Sequence, residues 1–289
     1  MLAAMPPGAD SARPRSLLMT FFGAFLRELG DWVAVADLIA LMHAVGLDEQ
    51  AVRSAISRLK RRGVVAPERR AGMAGYRLTA PGRAILDRGD ARIFERPPSE
   101  PPDTEWLLLL FSIPEHRREV RHLLRSRLAW LGLGRVGSAA WIGPAHVAAE
   151  VRLVVVELGV EEHVELFTAR HLGVRPTPDA VARWWDLDAI AEEYRGYLAA
   201  WTPRLQAWRA RDGGDPPAAF ADHLLQLDAW RRVPFHDPGL PASVLPGDWP
   251  GGAAWALFTE LTTRLRKPAL EHAEASVAHP RAEEPHAVL

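Results

Sequence analysis

Residues 46–79, GLDEQAVRSAISRLKRRGVVAPERRAGMAGYRLT, constrain the fold more than any other stretch of this chain. A basic amphipathic helix leads directly into two short β-like runs around a glycine-rich turn. Ala51, Val52, Ala55, Ile56 and Leu59 recur at spacings of three and four, so they line one face of a helix. Asp48 stands where a short side chain can accept from the free amides of a first turn, and Glu49 adds the negative charge that a helix start favours. Gly63 ends the helix as the left-handed residue after its cap. Upstream, residues 33–42 read as a second helix, with Gly46 at the turn between the two. Downstream, Val64-Val65 and Tyr76-Arg77-Leu78 are the expected strands, with Gly72 and Gly75 in the turn joining them. Two helices followed by a β-ribbon make the pattern of a winged helix-turn-helix.

The residues off the apolar stripe indicate a partner. Gln50, Arg53, Ser54, Ser57 and Arg58 are the types that pair with base edges in a major groove. Arg61, Arg62, Arg69, Arg70 and Arg77 are placed to neutralise phosphates, two of them near the wing tip. Over residues 48–83 nine basic residues face three acids, a local charge of +6 inside a chain whose net charge is −1. Such asymmetry is the electrostatic footprint of a nucleic-acid binder. Arginine is favoured throughout, Lys60 and Lys267 being the two lysines, so part of the signal is compositional and a solvated helix face is the plain alternative. Double-stranded DNA is the expected partner because helix, preceding helix, wing and charge coincide.

With 289 residues, nearly half of them apolar, the chain can build two or three domains with sizeable cores. It contains no cysteine, which excludes disulfides, thiolate chemistry and cysteine-based zinc sites. No apolar run approaches the length of a membrane span, and the first 15 residues carry no long apolar stretch. The expectation is a soluble cytoplasmic protein with no membrane segment or secretory signal. Of eleven tryptophans, seven fall after residue 183, where they can build pockets or interfaces.

An α+β chain in three parts is expected. Residues 1–15 read as disordered, and 16–95 as the winged helix-turn-helix domain, opening with a helix over 16–29 capped by Ser16 and closing with one over 82–94. Residues 96–104 form a stiff Pro-rich linker. Residues 105–175 read as a ferredoxin-like domain: strand 106–111, helix 115–131, strand 136–142 and strand 164–167, with 145–158 left open between strand and helix. Residues 176–274 read as a helical effector and dimerisation domain, and 275–289 as a disordered tail. Within that helical part, Pro203 should kink or divide the helix running from Ile190 to Trp208, residues 220–230 and 255–270 form further helices, and 233–250 is irregular.

In this order, the segments AVRSAISRLKRRG (51–63), GYRLTAPG (75–82) and DPGLPASVLPGDWPG (237–251) resemble the PaaX family of bacterial transcriptional regulators. The resemblance runs from Ser16 to about Leu270, and its third segment is the most specific. It implies a homodimeric repressor of phenylacetate catabolism genes, released from its operator by an aryl-CoA thioester such as phenylacetyl-CoA. It also implies a middle domain similar to a ferredoxin-fold CRISPR nuclease, whose first strand ends in a metal-holding Asp. Here LLLLFSIPEHR (107–117) puts Ser112 in that place, so metal-assisted hydrolysis lacks a ligand.

Other candidates each have a plainer role beside the functional one. Trp184 and Trp185 could stack on an aryl group or adenine, or pack in the core. Arg231 and Arg232 could grip CoA phosphates, or simply sit well at a helix C-terminus. His236 beside Asp237 lacks a second ligand at metal spacing, and Asp237 is better placed to fix the Pro-rich loop. The arginines of 117–127 read as a solvated face, or as contacts to CoA or flanking DNA. No nucleotide-loop, zinc-protease or nucleophile motif occurs in a useful context, so no enzyme, cofactor or metal is expected. The alternatives are a dimeric adaptor using the Trp-rich C-terminal part and a metal nuclease.

Overall fold

The structure is a computed structural model and describes residues 13–95, 105–211 and 214–278. The expected linker at 96–104, most of the N-terminal segment and the tail beyond 278 lie outside the described residues. The elements are α1 (Arg13–Phe21), β1 (Trp32–Ala34), α2 (Val35–His43), α3 (Glu49–Arg61), β2 (Val65–Arg70), β3 (Met73–Leu78) and α4 (Ala80–Phe94), then β4 (Trp106–Phe111), α5 (Arg118–Trp130), β5 (Gly134–Arg135), β6 (Ala140–Pro144), α6 (Ala148–Glu157) and β7 (Val164–Ala169). They continue as α7 (Thr177–Trp184), α8 (Leu187–Arg209), α9 (Pro216–Trp230), α10 (Val233–His236) and α11 (Gly251–Ser276). Among the described residues the chain packs as two compact units, one drawn from 13–91, 203–211, 214–229 and 257–278, the other from 92–95, 105–202 and 230–256.

In the first unit α1 runs into a π-helical turn, Phe22–Leu26, which turns Phe22, Phe25 and Leu26 inward. The expected helix over 16–29 stops at Leu26 because Gly30 and Asp31 both take left-handed φ values, +80° and +64°, and swing Trp32 into β1. Ser16 is not a cap. It lies inside α1 and donates to Asp228 Oδ1 at 2.6 Å, as does Thr20 at 2.8 Å, so the two hydroxyls satisfy a buried carboxylate on α9. Phe220 of α9 packs on Phe25 with ring centroids 5.0 Å apart.

Residues 33–34 also depart from expectation. They form β1, paired with Tyr76 and Gly75, and α2 starts only at Val35. The three-stranded sheet has the order β1-β3-β2. The β2–β3 ribbon is longer than Val64-Val65 and Tyr76–Leu78 imply, and its turn is Ala71-Gly72 alone, with φ +44° and +77°. A two-residue loop with both φ positive matches the twist of a hairpin. Gly75 is a strand residue, not a turn residue. A Cβ there would come within 2.4 Å of the Trp32 ring and 2.6 Å of Val33 O, so only glycine lets the indole lie against the ribbon.

In the second unit four antiparallel strands take the order β5-β6-β4-β7. With helices α5 and α6 between strands, this βαββαβ path is ferredoxin-like, and the chain is a mixed α+β protein with two antiparallel sheets. The expected strand over 136–142 is instead the turn and second arm of a tight hairpin, because Val136 and Gly137 both donate to Ala140 O at 3.0 and 3.1 Å. The open stretch 145–158 settles as helix: Val151, Val154 and Val155 recur on one buried face. Alternation along β4 divides the sheet. Leu107, Leu109 and Phe111 join Leu124 and Leu128 of α5 and the α6 valines in one core. Trp106 and Ile142 meet Val181, Trp185 and Leu240 on the opposite face, while farther along that face Leu110 and Phe167 remain 40% and 47% exposed.

Pro203 does not divide α8, and α11 runs from Gly251 through Pro268 to Ser276, longer than the expected 255–270. A proline deletes one backbone donor, but Trp201 and Leu205 beside Pro203, and Leu265 and Ala269 beside Pro268, are buried, and their packing carries each helix across the missing bond.

Candidate nucleic-acid interface

Helix α3 is built as its sequence requires. Asp48 accepts from Ala51 N at 2.7 Å, and Gly63 follows the C-cap with φ +70°. Val52, Ala55, Ile56 and Leu59 are buried. The opposite face exposes Gln50, Arg53, Ser54, Ser57, Arg61 and Arg62, with Arg58 half-buried at its edge. Among the described residues the side chains of Arg58, Lys60, Arg61 and Arg62 have no hydrogen-bond or ion-pair partner, so their charges are available to a ligand. Arg53 differs, since its guanidinium pairs with Glu49 one turn back at 2.6 Å.

The ribbon carries more internal pairing. Arg69 donates to Gly72 O at 2.8 Å, which folds its head back over the turn. Arg70 and Arg77 share Glu68, at 2.6 and 3.0 Å. Arg70 also lies over the Trp32 ring, 5.4 Å from its centroid, and Trp32 Nε1 donates to Glu68 O at 3.3 Å. Trp32 and Glu68 therefore set where the ribbon arginines point, and sequence reasoning missed both. Glu68 had a visible signal, as the lone acid beside Arg69 and Arg70. The ribbon is seated on α4 through Thr79, which donates to Val64 O at 3.0 Å and accepts from Gly82 N at 3.0 Å.

The candidate effector residues fall at different places in the second unit. Trp185 is buried and donates from Nε1 to Gly132 O at 2.8 Å. Trp184 is half-buried, edge-on to Trp106 at 5.8 Å and to His171 at 5.3 Å. His236 Nδ1 lies 2.9 Å from the Glu193 carboxylate, and Arg231 and Arg232 follow the end of α9. Asp237 fixes its loop, accepting from Gly239 N at 2.7 Å and from Tyr194 OH at 2.6 Å. Nearby, Arg92 Nε donates to Pro234 O at 2.9 Å and its guanidinium lies over Phe235, which stacks on Trp130; burial pushes the Arg92 pKa down.

Ser112 lies just past the end of β4, its amide donating to His163 O at 2.8 Å. It borders a cleft of about 540 Å³ lined also by Leu110, Ser138, Glu162, His163 and Glu165. Among the described residues no group of three or more His, Asp or Glu side chains converges to hold a metal ion, and no helix is long and apolar enough to cross a membrane.

Three family models match along the chain. They are "PaaX-like protein" over residues 13–82, "PaaX protein central Cas2-like domain" over 99–181, and "PaaX-like protein C-terminal domain" over 185–275. The transcriptional repressor PaaX of Escherichia coli (strain K12) is 28% identical over 272 residues, covering 91% of this chain and 84% of its own. An uncharacterized protein of Mycobacterium tuberculosis, Rv0674, shares the fold with a TM-score of 0.58 at 22% identity, over 91% of this chain and 99% of that one.

Proposed function

The chain belongs to the PaaX family of transcriptional regulators, and we propose on that premise that it is a sequence-specific DNA-binding repressor acting as a homodimer. The observation that carries the reading is the outer face of α3, where unpaired cations stand in line with exposed Gln50, Ser54 and Ser57. In this reading residues 16–95 are a winged helix-turn-helix. Gln50, Arg53, Ser54, Ser57 and Arg58 enter the major groove, and Arg61, Arg62, Arg69, Arg70 and Arg77 hold phosphates. A two-fold dimer meets a palindromic operator whose half-sites are separated by whole helical turns.

The effector in this reading is an aryl-CoA thioester such as phenylacetyl-CoA, as the family resemblance implies. Trp184, Trp185, Arg231, Arg232 and His236 are its candidate contacts. A ligand shifts the protein only by binding one arrangement better than another. The effector therefore favours a dimer geometry in which the two α3 helices no longer fit successive major grooves. The test is a mobility-shift titration of the protein on DNA upstream of its own gene. Retardation of that fragment over random duplex, and its release by phenylacetyl-CoA, are expected. Equal retention of both duplexes sinks the regulator; a complex that persists at saturating ligand removes this effector alone.

A further inference from the structure

An acid stands at the head of the basic helix α3 and is engaged there. Glu49 opens the helix and Arg53 follows one turn on. Arg53 Nε donates to Glu49 Oε1 at 2.7 Å, and Arg53 Nη2 lies 2.6 Å from the same oxygen. Both side chains are 58% exposed, and no other group among the described residues engages either of them. One carboxylate oxygen thus takes both contacts, which leaves Oε2 as an acceptor and the Nη1 edge of the guanidinium as a donor on the same exposed ion pair.

We propose that Glu49 and Arg53 act as one unit that reads a single G·C base pair, Arg53 donating to guanine and Glu49 accepting from cytosine. The inference rests on the regulator reading and involves α3 alone. The N-terminal residues of a recognition helix are the ones that reach base edges. A phosphate suits this pair poorly, because the carboxylate already neutralises the arginine and repels a second anion. Along its major-groove edge a G·C pair presents two acceptors, guanine N7 and O6, and then the N4 amino donor of cytosine. Donors on Arg53 beside an acceptor on Glu49 match that order. An A·T pair would set its N6 amino donor and O4 acceptor against like groups. The favourable charge of a helix start accounts for an acid at 49. Its pairing with Arg53 also restrains two long side chains before DNA arrives, which lowers the ordering cost of reading a base edge.

The experiment starts from in vitro selection on a randomised duplex library with wild type, which gives the operator half-site. Affinities of wild type, Glu49→Ala and Arg53→Ala are then measured with each G·C pair of the half-site exchanged in turn for A·T. Alanine keeps an exposed helical position helical. Wild type should prefer G·C at one position by about tenfold or more, the scale of a good bidentate contact. Each variant should lose most of that preference at that position and at no other. A second measurement isolates the acid: N4-methylcytosine in that pair still pairs with guanine but blocks the amino proton that Glu49 accepts. It should weaken wild type about tenfold, the scale of a hydrogen bond to a charged group, and leave Glu49→Ala unaffected. Unchanged base preference in Glu49→Ala, loss at different positions in the two variants, equal sensitivity of wild type and Glu49→Ala to the methyl group, or equal losses on operator and random duplex overturn the unit while leaving the regulator reading intact. If wild type enriches no sequence, the regulator reading itself falls and this inference with it.

Discussion

Glu68 shows how one carboxylate can set the strength of a cationic surface. It holds Arg70 and Arg77 together, so part of the positive charge of the ribbon is neutralised before any phosphate arrives. Glu68→Gln should tighten operator binding about two- to fivefold, the scale of an exposed ion pair, with a steeper salt dependence. Fluorescence anisotropy over a salt series checks both. Arg58 has no such competitor, and Arg58→Ala should weaken binding by about 1–3 kcal/mol if it pairs with a base edge; an unchanged affinity would remove it from the groove. In the core of the same unit, burial pushes His223 down from 6.5 to about 4. Its ring stands edge-on to Phe25, 5.8 Å between centroids, and its Nδ1 faces Gln226 Nε2 at 3.4 Å. The folded state favours the neutral ring, so the stability it contributes is complete above pH 6.5 and is lost as pH falls through about 4. The loss approaches 3 kcal/mol or so. Urea melts from pH 7 to 4 should show the decline, and His223→Leu should flatten it.

At the level of elements, local chemistry was legible and long-range pairing was not. The limits of α3 could be read from Asp48, its apolar stripe and Gly63, because a helix and its caps are settled within a few residues. β1 could not, because Val33-Ala34-Val35-Ala36 carries no helical or strand period of its own. What makes Val33-Ala34 a strand is pairing with Tyr76 and Gly75, more than forty residues away. Ser16 was misplaced as a cap for a similar reason: its partner, Asp228, lies 212 residues along the chain. Gly75 looked like a turn residue because glycine usually signals a turn, and its actual purpose, room for Trp32, is visible only in three dimensions. Gly75→Ala should therefore cost about 1–3 kcal/mol of stability by overpacking. The melting temperature should fall, and operator binding with it, while Gly214→Ala, where a Cβ meets nothing within 4 Å, should change little. Equal melting of the two variants would show that the ribbon does not depend on the close approach of Trp32. The candidate site was legible to the same degree: the α3 face needed only helical spacing, whereas the control of Arg70 by Trp32 and Glu68 depends on a cross-strand arrangement.

For the whole molecule, the near-zero net charge conceals strong local fields. The chain carries −1 overall with a pI near 6.8, yet residues 48–83 hold +6 and 113–144 hold +4. The compensating acid is concentrated elsewhere, in part on 145–169. Molecules of this kind attract one another when opposite patches meet, and no excess of like charge keeps them apart. Solubility should therefore be lowest at neutral pH in dilute buffer and should rise as added salt screens the patches over about 10 Å at 0.1 M. Light scattering across a salt series checks this. DNA affinity moves the opposite way, falling with salt. In the repressor reading the segregated charge would set a working window of ionic strength, with self-association expected below it and release from DNA above it.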